Sequence, residues 1–290
     1  MKKYFVCSDI HGFYDEWMSA LNQAGFDRNN PEHILIVDGD IFDRGSKPLQ
    51  VYKFLISLPE NRTILIRGNH EYLLMDLLET KIPTNREINN KTYQTLITLH
   101  KDPKKEQEKW LEENKNRYQN NALLQLNALK VLYKAERELY TNPTIQEIGR
   151  WLRSSHWRDY YELGQYIFVH SFIPLLGVEP FFQYFPEWRS EANGILWRIA
   201  CWPCPYKLYE AGYFNEELKK GKILVCGHWP TSDFYNTLLY KDEPDKKLDV
   251  AKSNPIFRSD KYPGIIAIDA TTAMTKKVNV LIINENELRY

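Results

Sequence analysis

The 290-residue sequence predicts an α/β fold: a parallel sheet with crossover helices, interrupted by a helical insertion. Three features carry this reading. Short apolar runs rich in β-branched and aromatic residues, Tyr4–Cys7, Ile34–Val37 and Thr63–Ile66, end in polar or glycine punctuation as buried strands do. The segments between them repeat apolar residues at helical spacing. From about Lys81 to Leu163, Asn, Lys, Gln and Glu dominate and glycine is nearly absent until Gly149.

Each element follows in turn. Tyr14–Ala24 is expected as the first crossover helix and Lys47–Leu58 as the second, the latter because Leu49, Val51, Tyr52, Leu55, Ile56 and Leu58 recur at three and four. The order reads βαβαβ, with right-handed crossovers. Within the insertion, Leu126, Leu129, Leu132, Tyr133 and Leu139 form a stripe along a helix over Leu123–Tyr140. The run KDPKKEQEKWLEENKNR mixes both charge signs, as a solvated helix face does. Strands resume at Tyr166–Val169, Ile223–Cys226, Ile265–Ile268 and Val278–Ile283. Early and late strands flank the insertion, and neither group is expected to make a full sheet alone. The chain is therefore read as one domain, 1–290, carrying a helical cap over 81–163.

Lys+Arg and Asp+Glu both number 38, so no global field draws the chain to nucleic acid or an anionic membrane. No apolar stretch approaches a membrane span, and MKKYFVCSDI reaches Asp9 too soon for a signal peptide. Cys7, Cys201, Cys204 and Cys226 are too sparse for a disulfide scaffold, which suits a reducing cytoplasm. Cys201-Trp-Pro-Cys204 has no second ligand pair nearby and reads as two ordinary thiols.

The chemistry sits at strand ends. The first strand delivers Asp9 and His11, the second Asp38, Asp40 and Asp43, the third Asn69 and His70, and later strands His170 and His228. Side chains two apart on an extended segment share a face, so Asp9 and His11 can converge, and ligands of open α/β sheets bind beyond the carboxyl ends of strands. Carboxylate, imidazole and amide donors together suit borderline metals such as manganese, iron, zinc or nickel better than calcium, and manganese is the expected ion. Six donors exceed one open tetrahedral site. They suit two divalent ions roughly 3.5–4 Å apart, one on Asp9 and His11, the other on Asn69, His170 and His228, with Asp40 bridging.

Only two of those ligands are anionic, so the centre favours an anion. Arg44 and Arg67 stand beside them, and guanidinium matches phosphate oxygens bidentately. A phosphate ester is the expected substrate, with a hydroxide shared by the metals as nucleophile. Adjacent residues of an extended turn point apart, so Asn69 can face the metals while His70 faces the leaving oxygen as general acid, held protonated by Asp43. GDIFDRG at 39–45 thereby supplies a bridging ligand, an orienting carboxylate and a phosphate clamp from one turn.

SDIHG, GDIFDRG, IRGNHE, VHS and CGHWP, in that order, resemble the motif series of the calcineurin-like metallophosphoesterases, and DRG followed by GNHE resembles the phosphoprotein phosphatase group within it. That group includes bacterial serine/threonine phosphatases and symmetrical diadenosine tetraphosphate hydrolases. The resemblance is close over 1–80, looser over 163–175, 194–198 and 223–285, and excludes the insertion. It implies a four-layer α/β/β/α sandwich and a dinuclear metal centre. Carried over by motif, Asp9, His11 and Asp40 hold one ion, and Asp40, Asn69, His170 and His228 the other. His70 with Asp43 is the acid dyad, Arg44 and Arg67 contact phosphate, and Asp269 stands behind the ligands. Ser171 and Phe172 after His170, and Ser8, depart from the usual small residues and glycine.

One such motif alone would be an ordinary polar network; five in order at strand ends are not. His33, His100 and His156 lie outside the motifs and read as surface or packing residues, and Asp38 as a brace of its turn. Trp197 and Arg198 in ILWR are read equally as a segment near the site or as a buried tryptophan beside a surface arginine, and FFQYFPEW as packing. The leading expectation is hydrolysis of phosphomonoesters, on a phosphoprotein, a small phosphoester or a nucleotide. The alternative is a symmetrical dinucleoside tetraphosphate hydrolase, and a remote one is a binding module on the same fold.

Overall fold

The computed structural model describes residues 1–100, 139–190 and 194–290. Strands β1 (Lys3–Cys7), β2 (His33–Asp38), β3 (Thr63–Ile66) and β4 (Trp157–Arg158) run parallel. Downstream lie β5 (Tyr161–Leu163), β6 (Tyr166–Phe168), β7 (Leu175–Leu176), β8 (Gln183–Tyr184), β9 (Ile223–Cys226), β10 (Phe257–Ser259), β11 (Tyr262–Ala267) and β12 (Leu281–Asn284). They form a five-stranded sheet ordered β12-β1-β2-β3-β4, a second ordered β10-β11-β9-β6-β5, and the ribbon β7-β8.

The first sheet draws β12 from the late strands to pair with β1, so the early strands do not complete it alone, and the remaining late strands form the second sheet that the α/β/β/α expectation requires. Alternation along the strands explains how the two sheets face each other. Tyr4, Val6, Ile34 and Ile36 of the first sheet share a cluster with Phe168, Val225 and Ile266 of the second. On the opposite face, Phe5, Cys7, Leu35 and Val37 pack under helices α1 (Tyr14–Gln23) and α2 (Pro48–Ile56). Each sheet thus buries both faces, and each fully buried aliphatic side chain contributes about 1.5–3 kcal/mol of transfer free energy. The far face of the second sheet, Ile167, Leu224 and Ile265, packs with Trp188, Trp197 and Phe234.

α3 (Asn69–Thr80) follows β3, then come α4 (Asn85–Asn89), α5 (Thr92–His100) and α6 (Pro143–Leu152). α6 starts where Asn142 accepts the Thr144 and Ile145 amides and Pro143 occupies the first turn. Leu96 and Leu99 of α5 and Ile145, Ile148 and Leu152 of α6 join the cluster beneath the first sheet, and β4 extends that sheet. The described flanks of the 81–163 segment are thus packed into the body. Most of the helix expected over Leu123–Tyr140 lies outside the described residues. The last strand starts at Leu281 and not at Val278, because Val278 is turned into the helix-side cluster before pairing with β1 begins.

Candidate metal centre

The expected donors leave their strands through backbone that is not extended. Of ten non-glycine residues with positive φ among the described residues, six are Asp9, His11, Asp40, Asp43, Arg44 and His228. Each such conformation costs about 1–3 kcal/mol, so the turns are strained where the polar groups converge. Asp9 and His11 therefore meet through a left-handed turn and not by strand alternation; His11 Nε2 lies 3.9 Å from Asp9 Oδ1. Asn69 and His70 likewise sit in the first turn of α3 and not in an extended turn, where a helical step of about 100° separates their side chains. Glycine makes the approach possible. A Cβ on Gly68 would stand 2.2 Å from Asp40 Oδ1, and one on Gly39, at φ +80°, 2.5 Å from His170 Nδ1.

Two groups of donors share Asp40. His11, Asp40 and His70 form one, Asp40, His170 and His228 the other, with the ligand atoms of each within 4.8 Å of one another. Hydrogen bonds from behind set the tautomers. His11 Nδ1–H donates to the Phe42 carbonyl (2.8 Å), leaving the Nε2 lone pair toward the cluster. His228 Nε2–H donates to the Trp202 carbonyl (3.2 Å), leaving Nδ1. His170 Nδ1–H donates to the Asp38 carbonyl (2.9 Å), and its Nε2 faces Asn69 Oδ1 (3.0 Å) and Asp40 Oδ2 (3.3 Å). Burial, reinforced by Arg44 and His70, holds His11 well below the usual imidazole range, and burial with His170 brings His228 down to about 3. Both are neutral, the state that binds metal. Burial opposes charge on His170 too, but Asp40 outweighs it and holds the ring protonated. Its proton stands where a cation bound by Asp40 and Asn69 would stand, and the donor set fits a pair of divalent ions.

The family model described as calcineurin-like phosphoesterase matches residues 2–232. The chain belongs to the calcineurin-like phosphoesterase family. Over 77 residues, 27% of this chain and 26% of the relative, it is 39% identical to the symmetrical bis(5'-nucleosyl)-tetraphosphatase of Buchnera aphidicola subsp. Baizongia pistaciae. Over 92 residues, 28% of this chain and 14% of the relative, it is 33% identical to serine/threonine-protein phosphatase rdgC of Drosophila melanogaster. The matched stretch thus spans about a quarter of the tetraphosphatase's length. A cold-active protein-tyrosine phosphatase of a psychrophilic Shewanella superposes with a TM-score of 0.51 at 17% identity, covering 99% of this chain and 76% of that one, which shows the shared fold.

In this calcineurin-like phosphoesterase, His70 Nδ1–H donates to Asp43 Oδ2 at 2.6 Å. Burial alone would lower His70, but Asp40 and Asp43 outweigh it and raise the ring above its ordinary value. Arg44 approaches His70 Nε2 at 3.2 Å and His11 Nε2 at 2.9 Å. A protonated Nε2 cannot accept from Arg44, so the two cannot coexist. The short Asp43 contact is the stronger, and the exposed Arg44 guanidinium yields. Arg67 is not brought to the cluster. Its guanidinium donates to Asp159 Oδ1 (3.2 Å) and to the Leu152 and Ser154 carbonyls, because the α6–β4 connection passes over the end of β3. Asp9 Oδ2 accepts the His228 amide (3.0 Å), which turns this carboxylate toward the β9 loop and leaves it beside, not within, the tightest group.

Three contributors were not read from the sequence. Glu71, fully buried, accepts the amides of Asp40 (2.8 Å), Ile41 (2.9 Å) and Gly68 (2.7 Å), tying the loops after β2 and β3 together. Burial, with Asp40 adding, pushes its carboxyl up to about 7. Its place three residues after Gly68, at the third position of a helix, is a spacing cue. Thr92 and Thr95 of α5 donate to Asp43 Oδ2 (2.6 Å) and Oδ1 (2.5 Å), and no local pattern points to them. Asp38 braces through its carbonyl; its carboxylate has no hydrogen-bond partner among the described residues, and burial pushes it up to about 8. Asp269 is buried beside Asp9 and accepts the Thr271 amide. His33, His100 and His156 bond the Asp27 amide, Asn142 and Glu60, away from the cluster.

Proposed function

We propose that this chain hydrolyses phosphomonoesters with the help of two divalent cations, manganese foremost. The two donor groups joined at Asp40 carry the reading. Asp9, His11 and Asp40 would hold one ion, and Asp40, Asn69, His170 and His228 the other. When bound, such a pair supplies Lewis-acid chemistry, activating water and neutralising phosphoryl charge. The protein's own groups do the rest. Arg44, released from His11 and His70, forks onto two phosphoryl oxygens. His70, oriented and charged by Asp43, passes its Nε2 proton to the leaving oxygen, and the strained turns keep these groups in register so that little reorganises during reaction.

Release of phosphate from a chromogenic aryl phosphate in added manganese tests this. Turnover that Asp40→Asn and His70→Asn each lower at least a hundredfold supports it; turnover indifferent to both rejects it. A second reading, symmetrical cleavage of a dinucleoside tetraphosphate, is favoured by the aromatic cavity of Tyr72, Phe182 and Trp202 beside the cluster. Product analysis with diadenosine tetraphosphate separates the two. We also propose one domain over 1–290 and, from four free cysteines, a cytoplasmic setting. No described helix is long and apolar enough to cross a membrane.

A further inference from the structure

A cavity of about 530 Å³ opens beside the donor cluster, walled by Tyr72, Phe182, Ile199 and Trp202. Trp202 belongs to both: its carbonyl accepts from His228, its ring meets the His228 ring at 6.2 Å, and its indole lines the cavity. Two cations line this cavity, and their circumstances differ. Arg198 is forked onto both oxygens of Asp76 at 2.5 Å and neutralised there. Arg86, from α4, sits over the Trp202 indole with its guanidinium carbon 4.6 Å from the ring centroid. It forms no ion pair with a carboxylate among the described residues: Glu87 feels its charge but is turned back onto the Thr84 amide and hydroxyl.

Stacking on indole satisfies the face of a guanidinium and leaves its N–H edge, the part that takes a carboxylate or phosphate bidentately. The cavity therefore combines aromatic and aliphatic walls with one guanidinium that no carboxylate among the described residues forks onto, and it is one indole away from the proposed phosphoryl site. We infer that it is the leaving-group subsite and selects a planar aromatic leaving group bearing a second negative charge, with Arg86 as the residue that reads that charge. This rests on the phosphoesterase reading above. Arg86 lies in the segment outside the motif series, so it is this chain's own device for choosing substrates.

The test compares 4-carboxyphenyl phosphate with 4-(aminomethyl)phenyl phosphate, equally sized and opposite in charge, in wild type and in Arg86→Glu, with manganese present. Wild type is expected to favour the carboxylate by at least tenfold in kcat/KM, and Arg86→Glu to invert the order, which also shows that the variant folds. Equal ratios in the two proteins overturn the inference. A calorimetric titration with the product 4-hydroxybenzoate reads the cavity without turnover: binding to wild type that Arg86→Glu loses supports the subsite even if no ester is hydrolysed. Binding unaffected by Arg86→Glu, or absent from wild type, overturns it while leaving the metal-centre reading standing.

Discussion

Thr95 Oγ1 donates to Asp43 Oδ1 at 2.5 Å across 52 positions of sequence. Thr92 takes the other oxygen, the one that also receives His70. A helix from the least familiar part of the chain thus fixes the carboxylate that orients the proposed acid. A hydrogen bond to a charged group contributes about 1.5–3 kcal/mol, so Thr95→Val is expected to lower kcat by roughly 10- to 100-fold with little change in KM, and Thr95→Ser to restore it. Steady-state kinetics decide; a fall in Thr95→Ser equal to that in Thr95→Val would show that packing and not the hydroxyl matters.

Glu71 accepts three amides with two oxygens, which an amide side chain cannot reproduce. Glu71→Gln is expected to cost about 2–3 kcal/mol and to lower the melting temperature by roughly 5–10 °C. Because the bonded amides belong to Asp40, Ile41 and Gly68, manganese affinity should fall in parallel. Thermal melts with and without metal measure both.

Cation binding should be visible as stability. At free manganese about a hundredfold above Kd, the folded state gains about 2.7 kcal/mol. Melting temperature should rise on adding manganese, return on chelation, and respond much less in His170→Asn. A melting curve indifferent to manganese would count against the donor assignment.

A pH test lies outside the centre. Burial alone would raise Glu217, but hydrogen bonds from Arg189, Tyr184, Lys220 and Trp188 outweigh it and bring the carboxyl from 4.5 down to about 2. Its folded value is the depressed one, so its stabilisation is complete above pH 4.5 and is lost as pH falls toward about 2. That amounts to about 3 kcal/mol. Glu217→Gln should therefore show a shallower loss of stability between pH 4.5 and 2 than wild type, by urea titration at fixed pH.

The sequence by itself determined the strands that end in polar residues, because apolar runs closed by Asp, His and Gly are local patterns that need no partner to be recognised. β1, β2, β3, β6 and β9 lie where their runs placed them, and the donors at their ends do gather. Only the tertiary structure decided how they gather. How the two sheets face each other follows from alternation of both faces, with Val6 and Phe168 meeting in one cluster. That Asp9 and His11 converge through left-handed turns depends on their amides bonding the Gly39 and Asp40 carbonyls of the loop after β2, a loop that Glu71 and the glycines at 39 and 68 hold close to α3 and His170. That Arg67 is taken by Asp159 while Thr92 and Thr95 reach Asp43 depends on contacts between segments dozens of residues apart. Hydrogen-bond partners at such separations are set by packing, and no period of 2 or 3.6 encodes them.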